Sequence, residues 1–113
     1  MARSLDGLDF VPVADQAPGQ VGRQTRFRYH ERDGLVWADY QGGDVVRGHL
    51  IGTRKGDTVD FRYVQLRLDG TTASGRCTSL VTVLDDGRLR LEESWTWESQ
   101  EGSGTSAVEQ PPN

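Results

Sequence analysis

Hydrophobic and polar residues alternate with a period of two along most of the chain. This period is typical of β-strands that bury one face and expose the other. Glycine-containing turn sequences interrupt the alternation at near-regular intervals, at residues 32–34, 42–44, 55–57, 68–70, 85–87 and 101–104. Glycine adopts positive φ readily, and a preceding Asp suits a tight turn. The pattern therefore predicts a series of antiparallel β-hairpins.

The stretches between the turns predict eight strands. They cover residues 7–14, 24–31, 35–41, 45–53, 58–68, 72–84, 88–99 and 105–109, and the last is short. Residues 15–20 are rich in Gly, Pro and polar side chains, which predicts a loop. No stretch keeps the spacing of a helix.

The alternation also predicts which side chains point inward. In the seventh strand the inner face is Leu89, Leu91, Glu93, Trp95 and Trp97. In the fifth strand the favoured inner set is Val59, Phe61, Tyr63 and Gln65, and in the second it is Phe27 and Tyr29. The third strand is ambiguous, since either Val36, Ala38 and Tyr40 or Leu35, Trp37 and Asp39 could face the interior.

The sheet is expected to close on itself. Eight antiparallel strands leave two unpaired edges, and closing the sheet removes that aggregation hazard. The interior of an eight-stranded barrel is about filled by side chains or holds one small ligand. The predicted fold is therefore all-β, a single-domain meander in a closed or nearly closed up-and-down, calycin-like barrel, with a two-sheet β-sandwich as the alternative. Gly48, Gly52 and Gly75 are expected where the strands bend.

Composition narrows the class of protein. One domain is expected over residues 1–113, and two prolines predict fraying of residues 109–113. A formal net charge of -4 argues against a nucleic-acid partner. Cys77 is the only cysteine, so an intrachain disulfide is impossible, which fits a reducing compartment. The sequence has no apolar run of about 20 residues and no signal-peptide core, so we expect no membrane partner and a cytoplasmic location. The oligomeric state is not predicted.

Glu93 is the most unusual residue of the predicted interior, because it interrupts an apolar face. A buried carboxylate must be paired, hydrogen-bonded or protonated. Glu93 could therefore be a ligand anchor or a general acid or base. It could equally be a structural group paired with an inward Arg, Tyr or Gln.

Aromatic residues are expected to surround this carboxylate. The candidate ligand-binding residues are Glu93, Tyr29, Tyr63, Gln65, Trp95 and Trp97. Aromatic walls with a few polar groups describe a small-molecule pocket, and they equally describe a filled core. His30 and His49 are expected at the surface, and Cys77 in the core. No metal-ligand spacing, nucleophile motif or phosphate loop is visible, so no catalytic residue, metal or cofactor is predicted.

Several segments together resemble a known family. They are residues 37–43, 48–52, 60–63, 75–79 and 86–97. This composite pattern resembles a family of small, uncharacterised bacterial proteins often labelled N-acetylglutamate synthase. The resemblance covers residues 23 to about 104, and its label implies an acetyltransferase. The residues themselves argue against an acetyltransferase. The nearest match to a pyrophosphate-binding turn is residues 16–21, but Pro18 lacks a backbone N–H donor and Val21 stands where such turns have Gly or Ala.

The functional prediction is a bacterial β-barrel that acts as a small-molecule-binding or interaction module. Two alternatives stay open: an acetyltransferase, as the label implies, and a structural or assembly protein with a filled core. The residues favour a protein that is not an enzyme.

Overall fold

The computed structural model describes residues 3–13 and 25–112, which form eight strands. The strands are β1 (Asp9–Pro12), β2 (Arg26–Arg32), β3 (Leu35–Gly42), β4 (Val45–Lys55), β5 (Thr58–Arg67), β6 (Thr72–Val83), β7 (Leu89–Trp97) and β8 (Ser103–Glu109). All eight predicted strands are present, and their ends differ from the predictions by a few residues. The predicted loop at residues 15–20 lies outside the described residues. No helix in the described segments has the length and apolar character needed to cross a bilayer.

Each strand pairs antiparallel with the next one along the chain, and β1 also pairs with β8. The seam is short: Val11 lies opposite Glu109, and Pro12 lies opposite Val108. It nevertheless closes the sheet into a barrel with strand order β1 to β8. The predicted up-and-down barrel is therefore confirmed, and the β-sandwich alternative is wrong because all eight described strands belong to one continuous, closed sheet.

The turn between β2 and β3 shows how the sequence produces a hairpin. Its two central residues are Asp33 and Gly34, with φ of 53° and 79°. Positive φ at both positions gives the turn a twist that matches the twist of the flanking strands. Asp tolerates this region better than most residues and Gly has no steric penalty there.

The inner faces follow the two-residue alternation. Leu89 and Leu91 on β7 and Val59 on β5 are fully buried, and Gln65 on β5 is 2 % exposed. The ambiguity of β3 is resolved in favour of Val36, Ala38 and Tyr40, which are at most 3 % exposed. The apolar Leu35 and Trp37 lie on the outer face instead.

The segment before β1 closes one end of the barrel, here called the plugged end. Leu5 is completely buried in the core. Its backbone N donates to the Glu31 carboxylate at 2.9 Å, and Arg54 Nη1 donates to the same oxygen at 2.8 Å. The Gly7 N donates to the Tyr29 carbonyl at 2.9 Å. These bonds hold Leu5 in the barrel mouth, a role the sequence did not reveal because Leu5 precedes the first strand.

Gln110, just beyond the end of β8, continues the pairing with β7. Gln110 N donates to the Leu89 carbonyl at 3.0 Å, and Leu89 N donates to Gln110 Oε1 at 2.8 Å. The single domain over residues 1–113 and the fraying of residues 109–113 stay predictions.

Leu5→Ala tests the plug. We expect the free energy of unfolding to fall by about 2–5 kcal/mol, because the change removes buried methyl groups and leaves a cavity. Urea denaturation followed by tryptophan fluorescence measures the loss. The control is Leu68→Ala, which alters a leucine that is 70 % exposed and should cost no more than about 0.5 kcal/mol. Equal losses in the two variants would contradict the assignment of Leu5 to the core.

Candidate functional site

Three polar residues lie side by side across the middle of the inner wall. In the register of the sheet, Glu93 on β7 lies opposite Ser79 on β6 and opposite Ser106 on β8. Ser79 Oγ donates to Glu93 Oε2 at 3.3 Å, and Ser106 Oγ donates to Glu93 Oε1 at 3.3 Å. Each carboxylate oxygen therefore has one hydroxyl partner, at a distance longer than the usual 2.7–2.8 Å for a hydroxyl donor.

Burial raises the pKa of Glu93 from 4.5 to about 7, and the two serine hydrogen bonds oppose this rise only in part. Desolvation acts this way because it penalises the charged form of a carboxyl group. Glu93 nevertheless keeps some accessible surface, unlike Ser79 beside it, which is fully buried. Glu93 as a whole residue is thus partly accessible, although its carboxyl group is strongly desolvated.

No cation pairs with Glu93 among the described residues. The titratable groups that sense its charge are Tyr29, Tyr40, Tyr63 and Cys77. Burial, followed by smaller effects of neighbouring groups such as Glu93, raises the pKa of each one, so all four are neutral near pH 7. The predicted structural pairing of Glu93 with an inward Arg, Tyr or Gln is not what the described residues form, since the partners are serines.

One buried hydroxyl near Glu93 lacks a hydrogen bond. Tyr29 is 1 % exposed, and its Oη has no partner within the described structure. An unsatisfied buried hydroxyl costs about 1–3 kcal/mol. By contrast, Tyr40 Oη donates to Gln65 Oε1 at 3.0 Å, and both side chains are buried. The Gln65 oxygen is thereby engaged within the wall.

Three aromatic rings lie between Glu93 and the end of the barrel opposite the plug, here called the far end. The ring centroids of Trp95 and Trp97 are 6.0 Å apart, and those of Tyr63 and Trp97 are 5.4 Å apart. All three side chains are only partly buried although they belong to the inner face. These inner-face rings therefore present accessible aromatic surface at this end of the barrel.

Glycines lie opposite the inner aromatic residues on neighbouring strands. Gly75 lies opposite Tyr63, and Gly104 lies opposite Trp95. A Cβ at Gly75 would lie 2.5 Å from Tyr63 Oη, and one at Gly104 would lie 2.6 Å from Trp95 Cζ2. Tyr40 with Gly48 repeats the arrangement, whereas a Cβ at Gly52 would meet the Asp60 carbonyl oxygen and the Phe61 Cα and Cβ. The rings therefore lie against backbone where a side chain would otherwise stand, which is a role for these glycines beyond the expected bending of the strands.

The six candidate residues are not equally close to one another. Glu93, Trp95 and Trp97 follow one another along the inner face of β7, and Tyr63 contacts Trp97. Tyr29 is coupled electrostatically to Glu93. Their role in ligand binding stays a prediction.

Ser79 and Ser106 are site residues that the pattern of the sequence did not predict. The turn at residues 85–87 sets the register in which Ser79 lies opposite Glu93, so extending that hairpin by counting could have identified Ser79. Ser106 required the register of the weaker last hairpin.

The two histidines lie away from this site. His49 lies on the outer face, where its Nδ1 is 2.6 Å from Asp39 Oδ1, and His30 stacks on Trp37. Cys77 is buried, and burial raises the pKa of its thiol. An outer-surface groove of about 1240 Å³ crosses β3 to β8 and does not include Glu93.

Comparison with known proteins assigns the barrel to a family. The family model described as "Avidin-like protein" matches residues 3–111. The chain belongs to the avidin-like protein family. No curated protein and no solved structure gave a significant match.

Membership of the avidin-like family corrects one prediction and supports another. The resemblance to proteins labelled N-acetylglutamate synthase is wrong, since the matching model is the avidin-like one. The segments that suggested it lie in strands and hairpin turns of the barrel, features that hairpin barrels have in common. The interpretation of the chain as a small-molecule-binding β-barrel is confirmed at the level of the family.

The pKa of Glu93 makes the stability of the fold depend on pH. Between about pH 4.5 and pH 7 the folded state holds a proton on Glu93 that the unfolded state releases. The free energy of unfolding should therefore fall as pH rises through this window, by about 3 kcal/mol in total. Below the window both states are protonated, and above it the full penalty persists. Urea denaturation at several pH values measures the slope.

Glu93→Gln should remove this slope, because the amide does not titrate. The variant should match the wild type at the acid end and exceed it in stability above pH 7. Glu92→Gln, on the exposed face of the same strand, is the control and should leave the slope unchanged. An unchanged slope in Glu93→Gln would contradict the raised pKa.

Proposed function

We propose that this protein binds a small organic molecule inside the far half of the barrel, between Glu93 and the wall formed by Tyr63, Trp95 and Trp97. Glu93 anchors a polar group of the ligand, and the aromatic wall contacts its apolar part. Avidin-like family membership supports ligand binding by this type of barrel. The position and the residues are our proposal.

One observation carries the proposal: Glu93, a partly accessible residue of the inner face, has no cation beside its carboxyl group among the described residues. A carboxyl group that serves only the core would be expected to have strong partners. Glu93 has two long hydrogen bonds to serines. Its unused acceptor capacity is available to a ligand.

The aromatic rings form the apolar part of the site, and glycines on the neighbouring strands make room for them. Because Gly75 and Gly104 let Tyr63 and Trp95 lie against the wall, the rings present surface to the barrel axis. Aromatic surface with a few convergent polar groups is the usual composition of a small-molecule pocket. The unpartnered Tyr29 hydroxyl supplies a further polar group at the level of Glu93.

The residues of the plugged end serve the fold. Leu5, Val59, Leu89 and Leu91 are fully buried there and leave little room for a ligand. The proposed entry route is therefore the far end.

A thermal-shift screen tests the proposal. A metabolite panel that includes biotin, chosen because of the family assignment, and equal numbers of cationic, neutral and anionic compounds would be added to the purified protein. A ligand at 100 times its Kd should raise the free energy of unfolding by about 2.7 kcal/mol. Titration of tryptophan fluorescence should then show saturable binding, because Trp95 and Trp97 line the site. A panel without any binder would contradict the proposal.

Gly104→Ala tests the position of the site for any ligand found. The new methyl group would lie 2.6 Å from Trp95 Cζ2, so the indole must move toward the barrel axis. We expect affinity to fall at least about tenfold, equal to about 1.4 kcal/mol, and stability to fall by about 1–3 kcal/mol. Thr105→Ala, an outward neighbour on the same strand, is the control. Unchanged affinity in Gly104→Ala would place the ligand elsewhere.

A further inference from the structure

We propose that the ligand of this site is an organic cation, in which a planar amidinium or guanidinium group pairs with the Glu93 carboxylate and a flat apolar body lies against Trp95 and Trp97. This inference rests on the proposed function. It adds the chemical class of the ligand, which the fold and the family leave open.

The balance of charge inside the barrel is the first argument. The titratable groups around Glu93 are Tyr29 on β2, Tyr40 on β3, Tyr63 on β5 and Cys77 on β6. All are neutral near pH 7, and their pKa values are raised further by burial, so none supplies positive charge. The described interior around Glu93 therefore carries one potential negative charge and no positive one, because the buried side chain of Arg54 at the plugged end is paired with Glu31 at 2.8 Å. A cationic ligand supplies the missing charge and removes the penalty for ionising Glu93.

The geometry of the carboxyl group is the second argument. Ser79 and Ser106 approach from the two neighbouring strands and bond to different oxygens, each at 3.3 Å. This pair holds the carboxylate in a fixed orientation, and each oxygen keeps acceptor capacity. A fixed two-oxygen acceptor matches the paired N–H donors of an amidinium or guanidinium group better than the single point charge of an ammonium group.

The aromatic wall is the third argument. A cation within about 6 Å of an aromatic ring is attracted by the ring quadrupole, most strongly by tryptophan. Trp95 and Trp97 follow Glu93 on the same inner face, and Tyr63 packs against Trp97. A carboxylate with two indoles beside it offers a delocalised cation both an ion pair and a stacking surface.

A neutral ligand would require the opposite protonation state of Glu93. An acceptor such as a carbonyl oxygen would need Glu93 in its protonated form, so its affinity would rise as pH falls. A cation needs the ionised form, so its affinity should fall about tenfold for each pH unit below the Glu93 pKa of about 7. The direction of the pH dependence therefore distinguishes the two classes.

Three probes of nearly the same shape test the charge directly: benzamidine, a planar cation; benzamide, its neutral counterpart; and benzoate, the anion. Isothermal titration calorimetry on the full chain would measure each Kd from about pH 5.5 to about pH 8, where benzamidine stays protonated. We expect benzamidine to bind at least about tenfold more tightly than benzamide at the alkaline end, and benzoate not to bind. We also expect benzamidine affinity to fall with decreasing pH.

Glu93→Gln is the decisive variant, since it keeps the size of the side chain and removes its charge. We expect benzamidine binding to weaken at least about tenfold and to lose its pH dependence. Circular dichroism and a melting curve would verify that the variant is folded. Glu92→Gln, on the outer face next to Glu93, should bind benzamidine as the wild type does.

The outcomes separate this inference from the proposed function. If benzamide binds as well as benzamidine, or if Glu93→Gln binds benzamidine unchanged, the cation assignment is wrong and ligand binding in the barrel stands. If the three probes fail but the screen yields a binder, a cation lost in Glu93→Gln supports the inference, and a neutral or anionic binder overturns it. If neither the probes nor the screen yields a binder, both proposals fail.

Discussion

Closure of the sheet is the constraint on which the rest of this structure depends. The seam between β1 and β8 is only a few residues long, yet it gives every strand two hydrogen-bonded neighbours. It also encloses one face of every strand. An inward side chain such as Glu93 then cannot turn toward bulk water, because the alternation of β7 holds it on the inner face. What would be an ordinary glutamate on an open sheet becomes a carboxyl group with a raised pKa.

The residues that line the interior change in chemical character along the barrel axis. Leu5, Val59 and Leu89 fill the plugged end, the Ser79–Glu93–Ser106 row crosses the middle, and aromatic rings line the far end. Packing at the plugged end supplies apolar burial that stabilises the fold. Within the described residues, the middle and the far end contain what a well-packed core normally avoids: a carboxyl group without a cation and a tyrosine hydroxyl without a partner. Such departures from good packing concentrate at functional sites.

Retaining Glu93 costs stability above neutral pH, and this cost is understandable if a ligand offsets it. Binding of a partner that interacts only with the folded state stabilises that state by mass action. An apolar residue at the same position would give a more stable empty barrel, but it would leave no polar anchor. The site therefore combines a preorganised acceptor, held by two serines, with ring surfaces that glycines keep against the wall.

The sequence by itself determined the eight strands, the hairpin order and most of the inner faces, because turn chemistry and two-residue alternation are local properties. Asp33–Gly34 and the inner face of β7 are examples. It also singled out Glu93 and its aromatic neighbours on the same strand. Only the tertiary structure decided which face of β3 is inner, that Leu5 plugs one end, and that the partners of Glu93 in the described segments are serines. These features depend on register between strands and on contacts between residues far apart in the chain, and the period of a single strand carries no information about either.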